Sequence, residues 1–196
     1  MKFSIRLLFL FFIFFMLSFC SNNSKLVKGN IYKISNKIDF KSGKFAIFPF
    51  KSSSEGKTFS SRIATDGNAI ADILTIQMLY KGYNIIEREK LDKILEEKSI
   101  SQSGLTETED SYKNLGKLLG VDFIIYGSVI QYDYTSEQGK WYISLGVTAR
   151  VIHVVTGKVV MICSANSHGE DIGKTLHGIS LAITDALMED KIYVWE

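Results

Sequence analysis

Cysteine is nearly absent: Cys20 and Cys163 are the only two in 196 residues. No disulfide framework can therefore replace a hydrophobic core. The two thiols are left as one bridge, as two separate groups, or as one modified and one buried. Proline occurs once, at Pro49, beside fifteen glycines, which excludes collagen-like and proline-rich low-complexity chains. No segment recurs at the spacing of about 20–50 residues that marks solenoids and propellers. Charge of one sign is also missing, the formal net charge being +2. Hydrophobic residues make up 46% of the chain, enough to build a core and to exclude wholesale disorder.

Long apolar runs are equally scarce, with one exception at the start. Lys2 and Arg6 precede Leu7–Phe19, in which Ser18 is the only polar side chain. A bilayer-spanning helix needs about 20 apolar residues, so this run suits the h-region of a secretory signal better than a permanent anchor. Cys20-Ser21-Asn22-Asn23-Ser24 follows at once, small and polar. An apolar run ending at a cysteine resembles the lipobox of bacterial lipoproteins, in which cleavage before the cysteine leaves its thiol to carry diacylglycerol. The match is Leu17-Ser18-Phe19-Cys20, with Phe19 standing where a small residue is usual. The resemblance implies a signal peptide over residues 1–19 and a lipid-anchored Cys20. The alternatives are an uncleaved anchor, or an ordinary signal followed by an incidental cysteine.

Without residues 1–19 the chain carries 21 basic and 21 acidic groups. Lys25, Lys28, Lys33, Lys37, Lys41 and Lys44 face only Asp39 over residues 21–44. Residues 20–43 accordingly read as a flexible basic tether, solvated or lying along anionic headgroups. The balanced remainder lacks the clustered basic face that a nucleic acid requires.

From residue 44 to about 190 the pattern is that of one α/β domain. Lys44–Phe50 is a short buried strand, ended by a polar loop. Ile63–Leu79 has helical spacing and stops at Gly82, before a second strand at Tyr83–Ile86. Helices follow at Arg88–Lys98 and Tyr112–Leu119, the latter closed by Gly120. Asp122–Tyr126 is apolar throughout and continues in alternation through Ile130, Tyr132 and Tyr134. Trp141–His153 alternates, with Trp141, Ile143, Leu145, Val147, Ala149 and Val151 on one face. After the turn Thr156-Gly157-Lys158, Val159, Met161, Cys163 and Ala165 repeat that pattern. An amphipathic helix over Ile172–Met188 ends the domain. The order β-α-β-α-α-β-β-β-α predicts a mixed sheet of about five strands covered by helices.

These segments resemble the CsgG family of curli-secretion lipoproteins. The resemblance is carried by Gly82-Tyr83-Asn84-Ile85-Ile86-Glu87-Arg88, Ser101-Gln102-Ser103-Gly104-Leu105, Leu115-Gly116-Lys117-Leu118-Leu119-Gly120-Val121-Asp122, Gly127-Ser128 and Val154-Val155-Thr156-Gly157-Lys158-Val159. It covers residues 44–188 and extends to related periplasmic lipoproteins, including the LpoB-like activators of penicillin-binding proteins. It implies a periplasm-facing envelope lipoprotein, on the inner side of the outer membrane, that binds envelope partners and is not an enzyme. The alternative it implies is a subunit of a curli-type secretion channel, hence a homo-oligomer. Such a channel inserts hairpins at two places, which here hold the polar Thr135–Lys140 and Ser164–Asp171. Neither stretch supplies the paired strands of about 9–11 residues that cross a membrane.

Catalytic constellations are hard to find. Gly56-Lys57-Thr58 and Gly173-Lys174-Thr175 lack the earlier glycine of a phosphate loop, with Lys51 and His168 in its place. Gly178-Ile179-Ser180-Leu181-Ala182 falls inside a helix, not at a nucleophile elbow. His153, His168 and His177 have no metal-ligand spacing with Cys163, so neither metal nor cofactor is expected. His153 reads as a strand-edge histidine, Cys163 as a buried thiol, and Glu87-Arg88 as a cap tying helix to sheet. The stripe Glu89, Lys93, Glu96 and Glu97 reads as a solvated helix face.

Overall fold

The computed structural model describes residues 26–33, 38–52, 67–97, 109–137 and 139–188. In chain order the elements are β1 (Leu26–Lys33), β2 (Lys44–Ile47), β3 (Lys51–Ser52), α1 (Gly67–Tyr80) and β4 (Asn84–Ile85). Then come α2 (Arg88–Glu97), α3 (Glu109–Leu119), β5 (Phe123–Glu137), β6 (Lys140–His153), β7 (Lys158–Gly169) and α4 (Ile172–Met188). Seven strands form one mixed sheet in the order β1-β7-β6-β5-β2-β4, with β3 also paired to β5. β2 runs parallel to β4 and β5, while β5, β6, β7 and β1 form an antiparallel series.

Alternation along the strands divides the core in two. Phe45, Ile47, Phe123, Ile125, Val147, Ala149 and Val151 point to the layer of α1 and α4, which contribute Leu74, Met78, Ile179 and Ile183. Ala46, Phe48, Ile124 and Ile152 point the other way, to Leu91 and Leu95 of α2 and Tyr112, Leu115 and Leu119 of α3. The unbroken apolar run at the start of β5 follows from burial on both faces. α1 and α3 end alike. Tyr83 N donates to Met78 O and Gly82 N to Leu79 O; Val121 N donates to Gly116 O and Gly120 N to Lys117 O. Each glycine takes a left-handed φ, 80° at Gly82 and 63° at Gly120, and the chain turns straight into a strand.

The five expected strands are all present, and two more join them. β3 continues past Pro49 into what reads as loop. β1 lies within the expected tether, which corrects that expectation for residues 26–33. Twelve-residue β7 offers an edge on which a further strand can pair. A register shift between Val27 and Asn30 breaks the period-2 pattern that would have signalled β1 in the sequence. β7 also outruns its apolar pattern, continuing to Gly169 through Ser164–His168. The two candidate hairpin sites are therefore closed: a short tip joins β5 to β6, and only Glu170 and Asp171 separate β7 from α4.

Two bulges set which residues reach the core. Val129 pairs with Val147 and Gln131 with Gly146, so Ile130 is extra and stands 51% exposed. The sequence had placed Ile130 with Tyr132, and the bulge separates them. The second bulge, opposite Val151 and Ile152, lets both Val160 and Met161 enter the α1–α4 layer.

Gly127 of β5 has no room for a side chain. A Cβ there would lie 2.2 Å from Thr148 O and 2.4 Å from the Phe50 ring. Gly127→Ala should cost about 3 kcal/mol in urea unfolding, as overpacking against backbone does. Gly139→Ala, at a hairpin tip with open space and φ 78°, should cost only about 1 kcal/mol.

Candidate functional site

Arg88 is the first sequence candidate that the fold puts to use. It opens α2, on one face of the sheet, and reaches α1, on the other. Its Nη1 donates to Asp72 Oδ1 at 2.8 Å, its Nη2 contacts Asn68 Oδ1, and Asp92 lies 3.8 Å from Nε. β4 is only two residues long, so this fork spans the sheet edge beyond it and clamps the two helical layers together. Glu87 O accepts the first backbone hydrogen bond of the helix, from Leu91 N, while the Arg88 side chain, expected to tie helix to sheet, ties helix to helix. Glu89 and Lys93 pair at 2.9 Å on the exposed face of α2, as their spacing suggests.

The other candidates are packing residues. Cys163 is fully buried, and burial pushes its thiol up to about 12. His153 accepts or donates at Thr156 Oγ1, 3.2 Å away, and its ring rests near Phe123. Ser180 is wholly buried in α4, its hydroxyl without a hydrogen-bond partner. Lys174 and Thr175 form the first turn of α4, which Asp171 caps through Lys174 N and Thr175 N. Among the described residues, no group of three His, Cys, Asp or Glu side chains converges to hold a metal ion. Cys20, the expected anchor residue, and the Gly56–Thr58 motif lie outside the described residues.

One pair escaped the sequence reading. Ser144 Oγ meets His168 Nδ1 at 2.8 Å, and the His168 ring stacks on Tyr142 at 5.2 Å. The two residues are 24 positions apart, and only the β6–β7 register, which sets Ser144 opposite His168, joins them. Counting outward from Thr156-Gly157 gives that register only when the bulge is known. A serine beside a histidine lacks nucleophilic power without an orienting third group and an oxyanion site. Here the imidazole is held by packing on an aromatic ring.

Two surfaces stand out. At one end of the sheet the β5–β6 tip carries Trp141, 54% exposed. At the opposite end α1 exposes Ile76, Leu79 and Tyr80, at 61%, 51% and 84%, in one turn of helix. Isolated exposed apolar residues are ordinary, whereas a cluster of three large ones on one helix face marks a contact surface.

Fold and surfaces together define a single mixed α/β domain whose distinctive chemistry lies on its outside. The chain belongs to the CsgG family: the model described as "Curli production assembly/transport component CsgG" matches residues 36–175. Among solved structures it is similar to the PelC dodecamer from Paraburkholderia phytofirmans, at 13% identity and TM-score 0.53, covering 81% of this chain and 96% of that one. It is also similar to lipoprotein GNA1162 from Neisseria meningitidis, at 14% identity and TM-score 0.52, covering 74% and 97%. The C-terminal domain of LpoB from Escherichia coli overlaps more loosely, at 9% identity and TM-score 0.47, covering 68% and 86%. No curated protein sequence matches the chain.

Burial has a pH signature. Tyr83 is pushed up to about 12, first by burial and then by Asp185 and Asp39, and Cys163 to about 12 by burial. Both groups ionise sooner in the unfolded chain, so unfolding releases protons and rising pH favours it. Stability should hold below about pH 9 and fall between there and pH 12 in urea titrations. Cys163→Ala should flatten the first part of that fall.

Proposed function

We propose that this chain is a lipid-anchored protein of the bacterial envelope that acts by binding, scaffolding or regulating envelope proteins rather than by catalysis. The anchor is Cys20, and the domain faces the periplasm from the outer membrane. The observation that carries the reading is the exposed α1 cluster Ile76, Leu79 and Tyr80. Membership of the CsgG family supports it, as does the leader that ends at Cys20. In a binding protein such a cluster forms the desolvated centre of an interface, and aromatic residues contribute most there.

The secretion-channel alternative has the family's description in its favour. Against it, three residue pairs of β5 and β6 extend beyond the last β6–β7 pair, Ile143 with Gly169. A membrane-crossing strand needs about 9–11 residues. β7 passes to α4 with no second hairpin.

A photo-crosslinking residue in place of Tyr80, in the full-length protein in intact cells, tests the binding role. One discrete partner adduct should form, and Ile76→Glu should abolish it while the domain still unfolds at the same urea concentration. Adducts between identical chains only would point to self-association, and no adduct at this position would contradict the reading.

A further inference from the structure

We propose that residues 189–196 of this chain lie across the outer face of α1 and α4 and occupy, until a partner arrives, the surface that Ile76, Leu79 and Tyr80 present. The proposal rests on the reading of that surface as the partner site and adds its regulation: a partner binds by displacing the segment.

The two helices end together. Gln77 Nε2 lies 3.0 Å from His177 Nδ1, and further along both helices Lys81 Nζ lies 3.4 Å from Asp185 Oδ1. Both contacts advance in the same sense, so α1 and α4 run side by side and finish at one end of the domain. On α4 His177, Leu181, Asp185 and Met188 fall on one face, at helical spacing. Leu181 is half-buried and Met188 is 47% exposed. On α1 Ile76 adjoins Gln77 and Tyr80 adjoins Lys81, and both stand outward. Apolar side chains thus flank the seam from both helices, Ile76 and Tyr80 on one side, Leu181 and Met188 on the other.

The chain leaves α4 at this same end. Met188 is one turn past Asp185, about 4.5 Å along the helix axis, and Glu189-Asp190-Lys191-Ile192-Tyr193-Val194-Trp195-Glu196 follows, outside the described residues. Ile192, Tyr193, Val194 and Trp195 are consecutive apolar side chains, two of them aromatic, and they gain by leaving water. At full extension Ile192 is within about 14 Å of Met188 and Trp195 within about 25 Å. Neighbouring helix axes lie about 10 Å apart, so the α1 cluster is within reach. Trp141, the exposed aromatic at the hairpin tip, is not. The 17 residues of α4, about 25 Å long, separate Met188 from the end of β7 that pairs with Ile143, and Trp141 is farther still. A tether this short holds the segment at an effective concentration in about the millimolar range, so a weak contact fills the surface and a tighter partner still displaces it. Tyr193 and Trp195 are also the residue types that anchor interfaces, so the segment offers the chemistry the surface would take from a partner: an apolar, aromatic peptide.

The test uses the full-length protein purified from membranes in detergent, with benzoylphenylalanine in place of Tyr80 or, as a control, of Leu118, which α3 exposes in the other helical layer. After irradiation and digestion, crosslinks from position 80 should fall mainly on residues 189–196, and those from position 118 should not. In a mixture of isotopically heavy and light chains they should join peptides of one isotope only. Ile76→Glu and Trp195→Glu, on opposite sides of the contact, should each lower the yield about tenfold while the urea midpoint holds. In cells, a chain ending at Met188 should give several-fold more partner adduct at position 80 than the full chain. Crosslinks from position 80 that miss residues 189–196, or that form equally from position 118, would overturn the proposal. Mixed-isotope peptides would overturn it too, giving the surface to a second copy, and equal partner adduct with and without the segment would overturn the regulation. The binding role fails separately: if neither chain forms a partner adduct in cells, that role is lost while a crosslinked segment in the purified protein keeps the intramolecular contact.

Discussion

Everything in this domain is arranged around the double pairing of β5. Its first residues, Phe123–Ile125, take β2 in parallel on one side and the end of β6 antiparallel on the other. Parallel neighbours demand a crossover, so β2 and β5 are separated in sequence by three helices, and those helices cover the faces the strands expose. Both sides of β5 are then buried, and two separate cores form back to back, one per helical layer. Aromatic rings mark the joint: Phe123 stacks on Phe45 at 4.9 Å in one core, and Tyr112 on Tyr126 at 4.3 Å in the other.

Beyond Gly127 the balance changes. Among the described residues, β5 has no parallel partner after Val129 and becomes one arm of a long hairpin with β6. The α1–α4 layer still covers one face, through Leu145, Val147, Cys163 and Ala165. On the opposite face Ser144, Thr148, Arg150, Ser164 and His168 are only half-buried. The bulge at Ile130 falls in this half of the strand, where local twist is cheap because fewer side chains must interlock. The domain is thus rigid and double-faced at one end, where α1 exposes Ile76, Leu79 and Tyr80, and a twisted ribbon at the other, where the tip exposes Trp141.

Much of this architecture was legible because the physics is local. Gly82 and Gly120 stop their helices in any context, and the helix Ile172–Met188 announces itself by period and length. The five core strands follow from runs and alternation. What stayed hidden depends on pairing. β1 lacks an even alternation, because its register slips on β7. Ile130 looks like a core residue until a bulge turns it out. Arg88 reads as a cap, and its bonds to Asn68 and Asp72 appear only when α1 and α2 meet around the sheet edge. The exposure of Ile76, Leu79 and Tyr80 could not be read from α1, which is apolar on nearly every side. Family membership was legible through the ordered motifs, which do not depend on a cluster of reactive groups.

Anchoring at Cys20 is the premise on which the proposed envelope role depends. Its most direct measurement is the intact mass of the mature protein from native membranes, wild type beside Cys20→Ala. The account predicts a chain that starts at Cys20 and carries the added mass of about two or more acyl chains, which stable anchoring requires, with that form absent from the variant. A chain retaining Met1, or one beginning near Cys20 without acyl mass, would contradict it and leave only the CsgG-family fold.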